Sequence, residues 1–215
     1  MALNTARLLL PYPVPGDTVD VPRDVKALAD RLDALTALKP SVVTALPVVP
    51  VDGDEVYLAV GPGGAPPFWH LRFSTVLAAP YQWTPVGAVN PLSAFGAGGS
   101  TVSGAYDTVG QPVLTLPSMI RGVFRLTVRA FLQNGGASSN NIHVGLFSNN
   151  VVITDPALKL VASGSADGSY GTNEIFPSFA APSAVLNLRV KTLNALTSVA
   201  SDYQIHAYPN QIGPP

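Results

Sequence analysis

Residues 124–132 read FRLTVRAFL, and this stretch decides the fold class. Every second residue from Phe124 to Leu132 is apolar, and Arg and Thr fill the positions between them except at Phe131. Successive side chains of a β-strand point to opposite faces, so one face of this segment meets a core and the other meets solvent or a partner. The stretch therefore predicts a long, half-buried strand.

Three further segments after residue 100 show the same alternation, at 142–146, 186–190 and 203–207. The segments 133–141 and 163–171 between them are rich in Gly, Asn and Ser, which favour turns. Apolar residues do not recur at helical spacing anywhere between these segments. Residues 101–215 are therefore predicted to form a β-sandwich, most plausibly of the jelly-roll type, and the fold class is mainly β.

A small antiparallel β module is predicted over residues 46–90. Its strands would be three apolar and aromatic runs that alternate with turn signals, at 55–60, 68–73 and 81–87. Trp69 and Trp83 fall inside these runs, so we predict that both pack in the core of the module. A segment of about forty residues is short for an independent core, so the module should pack against neighbouring parts of the protein. Residues 91–100 are predicted to be a Gly-rich linker.

The N-terminal part is predicted to be an extended leader, residues 1–20, followed by a helix over residues 21–39. Prolines in the leader fix φ and push the preceding residues out of the helical region. In the helix, apolar residues recur at spacings of three and four, namely Val25, Leu28, Leu32 and Leu35. This narrow stripe indicates a coiled-coil seam. The alternative is an amphipathic helix packed on its own domain, but the sequence offers no neighbouring helix to receive the stripe.

Charge is scarce in this chain of 215 residues, of which only 12% are Asp, Glu, Lys or Arg. With 12 basic and 13 acidic side chains the net charge is -1, so there is no field to attract nucleic acid or an anionic membrane surface. The most apolar stretch, residues 42–51, is broken by Pro47 and Pro50, and we expect neither a spanning helix nor a signal peptide. A surface with so little charge favours burial against other subunits, and thus a permanent assembly.

The residues that carry chemistry form no recognisable catalytic or metal-binding set. The chain has no cysteine, no nucleophile elbow and no phosphate loop. Asp155, Asp167 and Glu174 were considered as calcium ligands, but the required Asp-x-Asp-x-Asp-Gly spacing is missing. We therefore predict no catalytic residue, no metal and no cofactor. The single histidines are assigned surface or packing roles.

Tyr170 is the best candidate for contact with a glycan. An aromatic ring on a loop of a β-sandwich can stack on the apolar face of a sugar, and Asp167 lies nearby in sequence to accept hydrogen bonds. The alternative is an ordinary loop tyrosine. Tyr170 and Asp167 are thus the predicted glycan-binding residues.

Two stretches of the chain resemble a known family. Residues 10–13 (LPYP) and 21–29 (VPRDVKALA) resemble the N-terminal segment of tail-fibre and minor tail proteins of phages that infect actinobacteria. The strands WHLRF at 69–73 and YQWTPVG at 81–87 resemble a small module of the same proteins. The chain departs from that module where Gln82 replaces the usual Lys and where Ala88 replaces the second Gly of the closing pair. The similarity covers residues 7–90.

The resemblance implies a place in a virion and no catalytic site. The expected protein is a trimeric tail fibre or minor tail protein whose leader docks on other virion proteins and whose sandwich is displayed outward. The stripe does not itself choose between two and three strands, and three follows from the resemblance. The host surface would supply a glycan or protein partner. Alternatives are a capsid fibre or decoration protein and a polymer depolymerase, and we expect neither nucleic-acid binding nor membrane insertion.

Overall fold

The computed structural model describes residues 3–4, 11–12, 25–26, 40–101, 103–107, 111–135, 138, 140–162, 168–194 and 198–215. The chain divides into two compact units, residues 1–41 and residues 42–215. A helix with the length and apolarity to span a bilayer does not occur among the described residues.

The first unit contains one short antiparallel pair of strands. Leu3–Asn4 (β1) pairs with Pro11–Tyr12 (β2), so part of the predicted leader pairs with itself. Of the predicted helix over residues 21–39, only Val25 and Lys26 are described, and both are helical and exposed. The coiled coil is not shown, because Leu28, Leu32 and Leu35 lie outside the described residues.

The second unit is built from strands, with a short 3-10 turn at Pro62–Gly64. The strands are β3 (Ser41–Val43), β4 (Glu55–Ala59), β5 (Phe68–Phe73), β6 (Trp83–Pro85), β7 (Leu92–Thr101), β8 (Val113–Thr115), β9 (Arg121–Asn134), β10 (Asn140–Ser148), β11 (Val151–Ala162), β12 (Gly168–Ile175), β13 (Ser178–Phe179), β14 (Val185–Thr192) and β15 (Ser198–Gly213). The prediction of a mainly β chain is confirmed.

These strands form two sheets. The large sheet has the order β12-β9-β15-β6-β5-β4-β3, with β7 also paired to β15 and β13 to β9. The small sheet has the order β11-β10-β14-β8. Side chains from both sheets belong to one hydrophobic core, as a β-sandwich requires.

The alternating segments supply that core. On β9 the side chains of Phe124, Leu126, Val128, Ala130 and Leu132 are each at most 1% exposed. The same holds for Ile142, Val144 and Leu146 on β10 and for Tyr203, Ile205 and Ala207 on β15. Burying a large apolar side chain contributes roughly 1.5–3 kcal/mol, so these positions hold the two sheets together. The predicted half-buried strand at 124–132 is confirmed.

The predicted β module is part of the same body as the sandwich. Its strands β4, β5 and β6 continue the large sheet, because Trp83 on β6 pairs with Ile212 on β15. Trp69 is fully buried, its Nε1–H donates to the carbonyl oxygen of Asn90 at 2.8 Å, and its ring lies 6.2 Å from that of Phe124. Trp69 and Trp83 are therefore core residues, as predicted, and the core that they join is shared with the sandwich.

The predicted linker at 91–100 is instead most of strand β7, which pairs with β15 over ten residues. Its glycines allow close approach between strands. Gly98 has φ +80, and a methyl group there would overlap the backbone oxygen of Ala200. Opposite it, β15 has a register shift between Ser201 and Gln204, with Asp202 at φ 50. That shift belongs to the pairing of β15 with β9, while the pairing of β15 with β7 stays in register. The glycines therefore lie within a paired strand and do not separate two domains.

Candidate ligand-binding face on the large sheet

The side chains of β9 that point away from the core form the centre of the candidate site. Arg125, Thr127, Arg129 and Phe131 alternate with the buried positions along this strand. Strand pairing places side chains of β12 on one side of them and side chains of β15 and β7 on the other. We call this surface the β9 face and define it by Phe95, Arg125, Arg129, Phe131, Tyr170, Glu174, Asp202, Gln204, His206 and Tyr208.

Tyr170 lies at one end of the β9 face, where it is 53% exposed. Its hydroxyl donates to Oδ2 of Asp202 at 2.9 Å, and the guanidinium carbon of Arg129 lies 4.3 Å from its ring centroid. The ring of Phe131 is 5.1 Å away and tilted. The hydrogen bond to the Asp202 carboxylate raises the pKa of Tyr170, because the phenolate would lose that bond and face a second negative charge. Tyr170 is thus held in place while much of its surface remains open.

A second pair of arginine and tyrosine lies at the other end of the face. The guanidinium carbon of Arg125 is 4.4 Å from the ring centroid of Tyr208, and its Nε is 3.4 Å from Oε1 of Glu174. Arg125 and Tyr208 also line an open groove of about 320 Å³, together with Pro85, Gly87, Ala88 and Val89. Arg125 and Arg129 are four positions apart on one strand, so the two pairs are separated by roughly 13 Å.

On β7, two strands from Arg129, Phe95 offers the most exposed aromatic ring of the face, at 68%. The ring of His206 meets it edge-on at 5.7 Å, and Nδ1 of His206 lies 2.8 Å from the hydroxyl of Ser93. Burial lowers the pKa of His206, so the imidazole is neutral at pH 7 and can both donate and accept a hydrogen bond. Gln204 lies directly opposite Phe95 in the register. An open apolar ring is therefore surrounded by neutral polar groups.

This arrangement can bind a molecule that has both apolar faces and many hydroxyl groups. Phe95 and Tyr170 supply ring surface, and Arg129, Asp202, Gln204 and His206 supply donors and acceptors. The described carboxylates of the face are engaged, Glu174 with Arg125 and Asp202 with Tyr170. Among the described residues, no three His, Cys, Asp or Glu side chains are grouped so that they could hold a metal ion.

Only one of the two predicted glycan-binding residues is among the described residues. Tyr170 is described and lies on strand β12, where a turn was predicted, and Asp167 lies outside the described residues. The carboxylate that contacts Tyr170 belongs to Asp202. Of the residues weighed as calcium ligands, Asp155 is on β11 of the small sheet and Glu174 is on β12 of the large sheet.

Sequence reasoning missed Phe95, Arg129 and Asp202 as members of the face. Phe95 is followed by small residues and its exposure emerges only from the structure, where Ser93, Phe95 and Ala97 are more exposed than the residues between them. The other two join Tyr170 only through strand register, which no local pattern reveals.

No protein-family model matches the chain, and no curated protein matches it by sequence. Several solved structures are similar at a low level. The CBM22-1 and GH10 modules of Clostridium thermocellum xylanase 10B, crystallised with xylohexaose, match at 10% identity and TM-score 0.33 over 56% of this chain and 29% of that chain. Eiger TNF from S. frugiperda matches at 7% identity and TM-score 0.37, over 56% of this chain and 94% of that one. A family 35 carbohydrate-binding module from an environmental isolate matches at 18% identity and TM-score 0.31, over 61% of this chain and 96% of the module. TM-scores this low carry no argument about function.

Proposed function

We propose that the chain is a structural component of a bacteriophage virion, a trimeric tail fibre or minor tail protein that displays its β-sandwich outward and binds a glycan of the host surface through the β9 face. The leader would dock on other virion proteins. The stripe of Val25, Leu28, Leu32 and Leu35 would join the copies.

The observation that carries this proposal is the continuity between the module and the sandwich. The strands that resemble those of phage tail proteins, at 69–73 and 81–87, contain the two buried tryptophans. Through the pairing of Trp83 with Ile212 they extend the large sheet of the sandwich. A module of that kind would hold the sandwich rigidly, because one sheet and one core run through both.

The strand order supports a jelly roll. The sandwich contains two groups of four strands, with the orders β7-β15-β9-β12 and β8-β14-β10-β11. The chain passes repeatedly from one group to the other. This is the arrangement of eight strands in two facing sheets that defines the fold. The strand ends at Thr101, Asn134 and Ser198 meet each other. They lie roughly 45 Å along β15 from Ile212, so the module is at one end of the sandwich and these strand ends, which we propose to be displayed, are at the other.

The place of the chain in a particle is tested by a reconstruction of the whole virion in which the density for residues 42–215 is located. We expect three copies around a tail axis, with the strand ends at Thr101 and Asn134 pointing outward. Density on the capsid surface would instead support the alternative of a head fibre or decoration protein. Absence of the chain from purified particles would refute the proposal.

Binding by the β9 face is tested with Phe95→Ala, using glycans released from the host envelope as ligands. Loss of a stacking ring costs about 1.4 kcal/mol or somewhat more, so we expect the affinity to fall on the order of tenfold. Tyr170→Phe should weaken binding less, because it removes only the hydroxyl that orders Asp202.

The matched control is Phe68→Ala, which removes an exposed phenylalanine, 39% against 68%, from strand β5 of the module. It should bind like the unmodified protein. Equal affinity of the Phe95→Ala and Phe68→Ala variants would exclude the β9 face as the binding surface. Release of new reducing ends during the assay would favour the depolymerase alternative.

A further inference from the structure

A row of three basic side chains crosses the outer face of the small sheet. His143 on β10 lies directly opposite Lys159 on β11 and Lys191 on β14. Neighbouring strands are roughly 4.8 Å apart, so the side chain of His143 begins between those of two lysines. Sheets usually avoid groups of like charge in one row unless something offsets them.

The one carboxylate beside this row in the described part of the chain is already occupied. Asp155 accepts from Nζ of Lys191 at 2.9 Å through Oδ2, and its Oδ1 accepts from the hydroxyl of Tyr106. The bonds from Tyr106 and Lys191 lower the pKa of Asp155, which is therefore ionised. Lys159 is exposed and forms no ion pair with any described residue. Arg189, two residues before Lys191, donates to side-chain oxygens of Asn187 and Asn150 and adds a further positive charge.

Two polar atoms beside the row are buried without a hydrogen-bond partner. They are Nε2 of His143 and Oδ1 of Asn141, which lie two positions apart on the same face of β10. Leaving such a group unsatisfied costs roughly 1–3 kcal/mol, and native structures keep few of them. The Asn141 oxygen is an acceptor and calls for a donor, whereas Nε2 of His143 donates when it is protonated. Beside an excess of positive charge, this unpartnered nitrogen points to a missing negatively charged partner for the row.

We propose that Lys159, His143 and Lys191 bind a phosphoryl group. Its oxygens would accept from the two ammonium groups and from Nε2–H of His143, and the exposed Lys159 side chain would move aside to admit it. A tetrahedral phosphoryl group offers acceptors toward all three donors, whereas a carboxylate offers two oxygens in one plane. The ligand is either free phosphate or a phosphodiester of a larger polymer. This inference does not depend on the proposed virion role.

Binding is expected to be coupled to protonation of His143. Burial lowers the pKa of His143, and Lys191 and Lys159 lower it further, while Asp155 acts in the opposite direction. Arg189 and the Tyr106 hydroxyl are the other ionisable groups near the row. A bound phosphoryl group would favour the imidazolium, so affinity should rise as the pH falls toward the pKa of His143 in the free protein.

The experiment is an NMR titration of the histidine rings in the full chain, with and without inorganic phosphate, a glycerol phosphate polymer or acetate. We expect phosphate or the polymer to raise the pKa of His143 by about one or more, since an opposite charge at contact distance has that effect. His206, on the other sheet, should not change and serves as the internal control. Response to phosphate alone identifies the free ion as the ligand, and response to the polymer identifies the phosphodiester.

Lys159→Gln should raise the ligand concentration that gives half of the His143 pKa shift by about tenfold. Arg129→Gln on the β9 face should leave that concentration unchanged. Lys159 is exposed, so its replacement should not disturb folding, which circular dichroism checks. The assignment is overturned if the pKa of His143 is the same with saturating ligand, if Lys159→Gln binds as tightly as the unmodified protein, or if acetate acts as strongly as phosphate.

Discussion

At the scale of single residues, Gly98 shows why a Gly-rich stretch can be a strand. It has a positive φ, and its α-carbon lies so close to β15 that any side chain would meet the backbone of Ala200. Gly145 is required for a different reason, because an added methyl group would lie 2.8 Å from the ring of Tyr106, which crosses the small sheet there. Each glycine is required because a neighbouring group, the backbone of β15 or the ring of Tyr106, occupies the space that a Cβ atom would need.

Replacing Gly98 by Ala should lower the free energy of unfolding by at least about 2 kcal/mol, because both the backbone conformation and the contact become unfavourable. Urea unfolding measures the change. Gly63→Ala isolates the conformational part, since Gly63 has φ +66 but nothing within 4 Å, and should cost about 1 kcal/mol. Gly104→Ala, with one backbone atom at 3.8 Å and no positive φ, should cost less than about 0.5 kcal/mol. If Gly98→Ala lowers the free energy of unfolding no more than Gly63→Ala does, the close approach of Gly98 to β15 does not explain the glycine at this position.

At the scale of elements, the sequence predicts the strands that bury large side chains and misses those that do not. The strands β9, β10, β14 and β15 alternate apolar and polar residues, and β4, β5 and β6 carry aromatic or β-branched runs. By contrast, β12 has the sequence GSYGTNEI and no fully buried residue, so its existence depends on pairing with β9. The inner side of β7 has small residues at Ala94 and Gly96.

The candidate site was predictable to the same limited degree. Tyr170 could be singled out as an aromatic residue in a polar segment, but its contact with Asp202 bridges 32 positions. The orphaned Nε2 of His143 is likewise invisible in the sequence, where His143 is one isolated histidine. Both sites arise from register between strands that are distant in the chain.

At the scale of the whole molecule, charge in the sandwich is confined to surfaces. Arg125 and Arg129 lie on the β9 face, and Lys159, Arg189 and Lys191 lie on the outer face of the small sheet. One hydrophobic cluster joins the two sheets and includes residues of the module. Residues 42–215 should therefore unfold as one cooperative body.

The two tryptophans of the chain are both in the module, so their fluorescence reports on the module while far-ultraviolet circular dichroism follows all strands. We expect both signals to give the same midpoint in urea. Trp83→Ala should lower the two midpoints together, by about 3–5 kcal/mol in free energy of unfolding, with Trp69 as the remaining probe. A tryptophan transition that precedes the loss of circular dichroism would show that the module unfolds alone.

The position of β15 in chain order has a consequence for biosynthesis. This strand follows every strand with which it pairs, including β6, β7 and β9. On the ribosome β6 can pair with β5, but its other edge has no partner until residue 212 has emerged, long after the residues of the module. During that interval the nascent chain exposes apolar surface and open strand edges, which makes this the stage at which chaperones or neighbouring copies would act.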